Sequence, residues 1–481
     1  MTGWQPVIHR PSSIAARPVC DSQRRLYDCR KNLAAQSIVI IGAGAAGLAA
    51  ARELARAGRD VVVLEARDRI GGRVFTHREQ KSPVPIELGA EFVHGRPPEL
   101  WKIATAANLQ LYEVSERHWY FKQDKVSKSG EFWRTIESLT RDMKSSARDQ
   151  SLEEFLESLP DDEKSQRAKS MLVRYVEGFH AANIERIGIH GLVKANEAAD
   201  DIDGDRAFRL VDGYDSLLQA LRAEAESHGT QFHLKTNVKE IRWADDQVEV
   251  SCEQDGAPIE FVAAHVIVTL PISLLKDETA AIRFTPELPT DKRTAIENLP
   301  MGNVVKINLL FRERFWETVK LWDEEARPVD FHDASFFHCP GAPLPTWWTQ
   351  LPIRAPMLVG WTGGPNAERI IGTAGGSRQA AGKDHLLEQA LDSLATIFNL
   401  SRSEIEAQLE ASYVHNWRDD PFTRGAYAYV PVNGLDDQRI LAKPVENKMF
   451  FAGEATSIGH IGTVHGAIQS GERAAREILA K

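Results

Sequence analysis

Three glycines and one glutamate carry the plainest chemical signal in the 481 residues. Gly42, Gly44 and Gly47 fall in Gly42-Ala43-Gly44-Ala45-Ala46-Gly47, straight after the apolar run Ile38 to Ile41. Glu65 lies about 20 residues beyond, the distance at which an acid meets the ribose hydroxyls of a bound adenosine. The first glycine permits a tight turn, the second lets backbone approach a pyrophosphate, and the third lets a helix close on a strand. A glutamate there repels a 2′-phosphate, which argues against NADP. Further along, Lys306 sits inside an apolar run, and Trp417 to Tyr427 is rich in aromatic residues. His460 and His465 are five apart and lack a third ligand, so no metal site is expected.

A glycine motif alone is weak evidence, and the elements around this one give it weight. Leu48 to Arg56 is a run of strong helix formers, Gly58 sits where a helix would end, and Val61 to Leu64 reads as a second buried strand. Strand, helix and strand with the glycines in the first turn form a dinucleotide-binding unit, whose helix N-terminus offers N–H groups to phosphate. At the other end, Met449 to Ala452 reads as a strand running into Gly453-Glu454, and Gly462-Thr463 opens a helix from Val464 to Ala480. Such a helix aims its positive dipole end at whatever lies before it.

Two further strings, Glu65 to Arg73 with Gly71-Gly72, and Glu87-Leu88-Gly89-Ala90-Glu91-Phe92-Val93-His94-Gly95, complete the set. With them the sequence resembles the flavin-containing amine oxidases, the family of monoamine oxidases, polyamine oxidases and lysine-specific histone demethylases. The resemblance runs from Ser37 to the end and is closest to polyamine oxidases. It implies an α/β fold with a discontinuous Rossmann-like FAD-binding domain (residues 37–96, 205–271 and 445–481) and an α+β substrate-binding domain with a helical cap (97–204 and 272–444). Residues 1–36 read as a flexible arm without the features of a secretory signal.

The resemblance also implies site residues. FAD would be held by Gly42, Gly44, Ala46 and Gly47, by Glu65, Ala66 and Arg67, by Gly72 and Arg73, and by Gly89, Ala90 and Glu91. Val238 would add a backbone contact to the adenine, and Gly453, Glu454, Thr463 and Val464 would hold the ring end. Ala426 stands where monoamine oxidases carry the cysteine that tethers flavin, so noncovalent FAD is expected. Trp417 and Tyr427 would form the aromatic wall, and Lys306 would hold a water beside the ring. Thr463 replaces a second tyrosine, and His94 could reach a substrate nitrogen. Periodicity alone reads Lys306 differently. Val305, Ile307, Leu309 and Phe311 share one face of a strand, which puts Lys306 and Asn308 on a wet one.

The implied reaction is hydride transfer from the α-carbon of a polyamine or other amine, with O2 as acceptor and hydrogen peroxide as product. An L-amino-acid oxidase is the alternative, although no arginine can be assigned to a substrate carboxylate, and a desaturase or isomerase would replace Lys306. The formal charge of −10 argues against nucleic-acid binding. No window offers 18 uncharged apolar residues, so no integral membrane anchor is expected. The four cysteines form no CxxC and suggest a reduced, cytoplasmic setting, with a homodimer possible.

The expected elements are helices at Glu99 to Ala107, Glu131 to Ser145, Leu152 to Leu159 and Ala168 to Phe179. A β-meander through Val238 to Trp243, Val248 to Cys252 and Phe261 to Leu270 is expected to follow, with a turn at Asp245-Asp246.

Overall fold

A computed structural model describes residues 17–18, 37–122, 125–128, 131–244, 247–276, 282–372 and 382–481. The proposed arm, apart from Arg17–Pro18, and the Asp245-Asp246 turn lie outside these residues.

The first glycine turn hangs from a five-stranded parallel sheet. Its order is Gln231–His233, Asp60–Leu64, Ser37–Ile41, His265–Val268 and Met449–Phe451. Both faces of this sheet are covered, which is why its strands read as unbroken apolar runs. Ile38, Ile40, Val61 and Val63 pack under helices Ala45–Arg56, Asp215–Ser227 and Val464–Leu479. Val39, Ile41, Val62 and Val266 point the other way, into a core shared with the meander. Helix Pro98–Ala106 buries Leu100, Ile103 and Ala104 in the first of these cores, although the division at residue 97 assigns it to the other domain.

The meander pairs Thr236–Trp243, Val248–Gln254 and Ala257–Ala263 antiparallel. Phe261 to Leu270 is two elements and not one strand. The chain leaves the meander at Ala263 and enters the parallel sheet at His265, ending at Val268. Ala264 donates its N–H to Ser37 O at 3.0 Å at the crossing. Apolar character persists through the change of sheet, so periodicity could not mark it.

A seven-stranded mixed sheet forms the second body, with Val304–Phe311 between Leu409–Val414 and Met357–Gly363. The expected alternation of Val304–Phe311 holds, and the wet face does not. Lys306 is 3% and Asn308 1% exposed. The segment carrying Glu87 to Glu91 lies over that face, and Asn308 Nδ2 donates to Glu87 O at 3.2 Å.

Four helices, Glu131–Lys144, Leu152–Ser158, Glu163–Phe179 and Ile189–Asp200, share a smaller core around Leu152, Phe155, Leu172 and Ile189. The third begins five residues before the expected Ala168 because Asp162 caps it, accepting from Ser165 N at 2.9 Å. Its first turn is exposed and polar and carries no apolar period. Among the described residues no helix is long and apolar enough to cross a membrane.

Candidate active site

A cavity of about 2800 Å³ runs from the glycine turn, past the seven-stranded sheet, to the helical cap. Its first end is built by the strand-to-helix turn. Gly42 holds φ +104° and donates its N–H to Leu64 O at 2.8 Å, and a Cβ on Gly47 would stand 1.9 Å from Gly42 O. Neither position admits a side chain. Gly44 begins the helix with no side-chain cap and open space beside it, so the first-turn N–H groups face the cavity. The second glycine pair meets the first, with Gly71 N–H donating to Ala43 O at 2.8 Å. Arg69, which the sequence reading passed over, braces that turn by donating to Gly72 O at 3.0 Å.

Glu65 is 6% exposed, and its oxygens accept from Ala43 N and Arg67 N, each at 2.9 Å. Burial raises its carboxyl against the pull of those two amides. Each oxygen keeps a second lone pair for a hydroxyl. Val238 lines the same end at a bulge, where the meander register slips between Val238 and Glu240. The Arg67 guanidinium, expected at the cofactor, is engaged elsewhere. It forms two bonds to Asp420 at 2.6 and 2.8 Å and one to Thr423 at 2.8 Å. Burial alone would raise the Asp420 carboxyl, and the bonds from His415 and Arg67 outweigh it and hold it low.

At the opposite end Glu454 gathers the chain. It accepts from Arg73 Nη1 at 2.8 Å, Gly462 N at 2.9 Å and Ala428 N at 3.3 Å. Thr463 is the N-cap of the terminal helix. Its hydroxyl accepts from Gly466 N at 3.0 Å and donates to His460 O at 2.7 Å. That occupation leaves the hydroxyl a positioning task in place of the expected contact with substrate. Val464 opens the helix toward the cavity.

Between these ends lie the groups expected to do chemistry. Trp417 is buried with its indole N–H on Leu88 O at 2.9 Å, and Tyr427 donates its hydroxyl to Phe179 O at 2.8 Å. Both belong to one small cluster with Ala426, Val304 and Trp361. Lys306 donates to Gly89 O at 2.9 Å and pairs with Glu91 at 2.7 Å. Glu91, expected at the cofactor, lines the cavity and turns its carboxylate to Lys306, to Arg209 at 2.8 Å and to the Trp348 indole at 2.9 Å. Burial would raise Glu91, and the Lys306 and Arg209 charges outweigh that and lower it. No sequence signal pointed to Arg209 or Trp348, because their role depends on which strand faces which.

His94 lines the cavity beside Phe92 and Phe179, with ring centroids at 6.1 and 5.3 Å. Burial pushes it down to about 4, so it is neutral at pH 7. Burial likewise lowers His118 and His180 to about 4, and His338 and His465 to about 3. The unfolded chain therefore binds more protons than the folded one between about pH 4 and the ordinary histidine value near 6.5, and stability falls as pH drops through that window. The melting temperature should decline as pH drops below about 6, more steeply than one proton allows. A flat profile down to pH 4.5 would contradict the burial of these rings.

Residues 45–479 match the family described as flavin containing amine oxidoreductase. The chain is 28% identical to lysine-specific histone demethylase 1 homolog 3 of Arabidopsis thaliana, over 92% of this chain and 30% of that protein's length. It is 29% identical to probable polyamine oxidase 4 of the same plant, over 93% of this chain and 88% of that one. A putrescine oxidase solved with putrescine shares the fold, with a TM-score of 0.73 and 21% identity over 93% of this chain and 99% of its own. The chain thus belongs to the flavin-containing amine oxidoreductases.

Proposed function

We propose that the protein is an amine oxidase that binds FAD noncovalently across the cavity, nucleotide at Gly42 to Gly47 and ring between Lys306 and the terminal helix. One observation carries the reading: a single cavity joins an uncapped helix N-terminus and a paired-amide glutamate to a buried lysine, Trp417 and Tyr427. The residues present fit the group. Gly44 leaves a cradle that a side chain would fill, Glu65 keeps lone pairs for hydroxyls, and Ala426 supplies no thiol for a tether.

Flavin held there would supply a two-electron acceptor for the hydride on the carbon next to an amine nitrogen, giving an imine, with O2 as the final acceptor giving hydrogen peroxide. The chain's own residues prepare the substrate. Trp417, Tyr427 and Trp361 wall off water, and a dry aromatic surface favours the neutral amine, whose lone pair the step requires. Lys306, held by Glu91 and Gly89, fixes one donor toward the cavity. The terminal helix dipole favours negative charge near Gly462-Thr463. His94, neutral, offers one hydrogen-bonding nitrogen to the substrate amine.

The aromatic loop and the Thr463 string put a polyamine or secondary amine first, with an L-amino acid as the alternative. Anaerobic titration of the purified flavoprotein with putrescine, spermidine, phenethylamine and leucine tests this. Bleaching of the flavin band by at least one amine is expected. No bleaching by any of the four, with FAD bound, would remove these polyamines, phenethylamine and leucine as substrates.

A further inference from the structure

The helical-cap end of the cavity carries a second group of side chains that the chemistry at Lys306 does not use. Strands His118–Lys122 and Phe336–His338 lie side by side in parallel, pairing His118 with Phe336 and Tyr120 with His338. Alternation sends Trp119, Phe121 and Phe337 into the core and leaves His118, Tyr120, Phe336 and His338 lining the cavity. The four rings stack. Centroids are 4.5 Å apart for Phe336 and His118, 5.2 Å for the two histidines, and 4.7 Å for His338 and Tyr120.

His118 Nδ1 and His338 Nε2 are 2.9 Å apart. Both rings are kept neutral by burial, so one donates to the other, and the pair is left with one outer N–H and one outer acceptor nitrogen. Neither outer nitrogen has a partner among the described residues. Burial also raises the Tyr120 hydroxyl to about 12, so it remains a donor at neutral pH.

Across from this stack runs helix Glu163–Phe179, whose Ser170, Met171, Arg174 and Gly178 line the cavity at helical spacing. Arg174 has neither an ion pair nor a hydrogen bond among the described residues. Its charge is felt at Tyr120 and at His338. Burial lowers its basicity, and no carboxylate among the described residues pairs with it. Glu177, three residues on, is raised by burial alone, so its charge does not meet that of Arg174.

We propose that Arg174, Tyr120 and the His118–His338 pair form a distal subsite for an anionic group, a carboxylate in the simplest case, carried at the far end of the amine oxidised beside Lys306. Three donors line this end of the cavity, one of them cationic, and charge-assisted bonds from a guanidinium to a carboxylate are the strong kind. A second ammonium at the same place would face an unpaired positive charge. The separation is also fixed by the wall. Lys306 Nζ stands 5.8 Å from the Trp348 ring, Trp348 lies 6.4 Å from Phe336, and the stack continues from Phe336 to Tyr120. The substrate is therefore elongated, with several bonds between the reacting nitrogen and the anion. This rests on the amine-oxidase reading and replaces the far ammonium of a polyamine with a carboxylate.

The test compares octylamine, 1,8-diaminooctane and 8-aminooctanoate as anaerobic reductants of the flavoprotein, with octanoate as a ligand that cannot be oxidised. Expected is a limiting flavin-reduction rate divided by Kd for 8-aminooctanoate at least tenfold above that for octylamine, lying mainly in Kd. Octanoate should perturb the flavin band on binding. In Arg174→Gln the ratio of the two rate constants should fall about tenfold and octanoate binding should weaken, with part of each recovered in Arg174→Lys. Preference for 1,8-diaminooctane overturns the subsite and points to Glu177. A ratio that survives Arg174→Gln also overturns it. If none of the three amines bleaches the flavin while octanoate binding still depends on Arg174, amine oxidation fails and the anion subsite stands.

Discussion

Gly44→Val should give a folded protein that fails to hold flavin. Gly44 has φ −77° and ψ −176°, an extended conformation open to any residue, and a Cβ built there meets nothing within 4 Å. The added side chain would occupy the cradle in front of the helix N-terminus, displacing phosphate from the N–H groups. Loss of two charge-assisted bonds at about 1.5–3 kcal/mol each weakens FAD binding by two to four orders of magnitude. Gly47→Val is the contrast. Its Cβ would lie 1.9 Å from the Gly42 carbonyl, which is backbone and cannot move aside, so the turn itself fails and the protein is expected to be insoluble. Circular dichroism and melting should place Gly44→Val beside flavin-free wild type, and FAD titration should show no uptake at micromolar concentrations. A yellow Gly44→Val protein would remove this turn from the cofactor site.

Lys306→Met separates binding from turnover. Lys306 lies away from the glycine turn, so FAD should remain bound. Flavin reduction by amine, or its reoxidation by O2, should slow by about 10²-fold, the scale of losing one positioned proton-handling group. Stability should also drop. Removing one member of a buried ion pair costs about 3–5 kcal/mol, and the Arg209 and Trp348 contacts that Glu91 keeps place the expected loss at or below the lower figure. Stopped-flow traces of both half-reactions, with a melting curve, measure these effects. Unchanged rates in both halves would take Lys306 out of the site.

Local chemistry made the two ends of the cavity legible. Gly42 to Gly47, Glu65, Gly453-Glu454 and Gly462-Thr463 are each fixed by what a turn or a helix start demands within a few residues. The middle was less legible because it depends on which surfaces meet. Alternation placed Lys306 opposite Val305 and Ile307 correctly, and could not reveal that Val84 to Glu91 covers that face. Glu91 was visible only as part of a string, and its contact with Arg209 joins positions 118 apart in the chain. Arg67 and Thr463 line the cavity with their polar groups bonded within the chain. Their positions suit a cofactor, and Asp420 in one case and Gly466 with His460 in the other take up their polar groups.

The terminal helix Val464–Leu479 packs on Ala45–Arg56 so closely that a Cβ on Gly471 would touch Ala46 O, and Arg52 pairs with Glu472 at 2.7 Å. During synthesis, then, helix Ala45–Arg56 emerges roughly four hundred residues before the surface it must bury against, a separation that makes this contact costly and slow to close. Until then the surface around Ala46 and Arg52 lacks the helix that covers it.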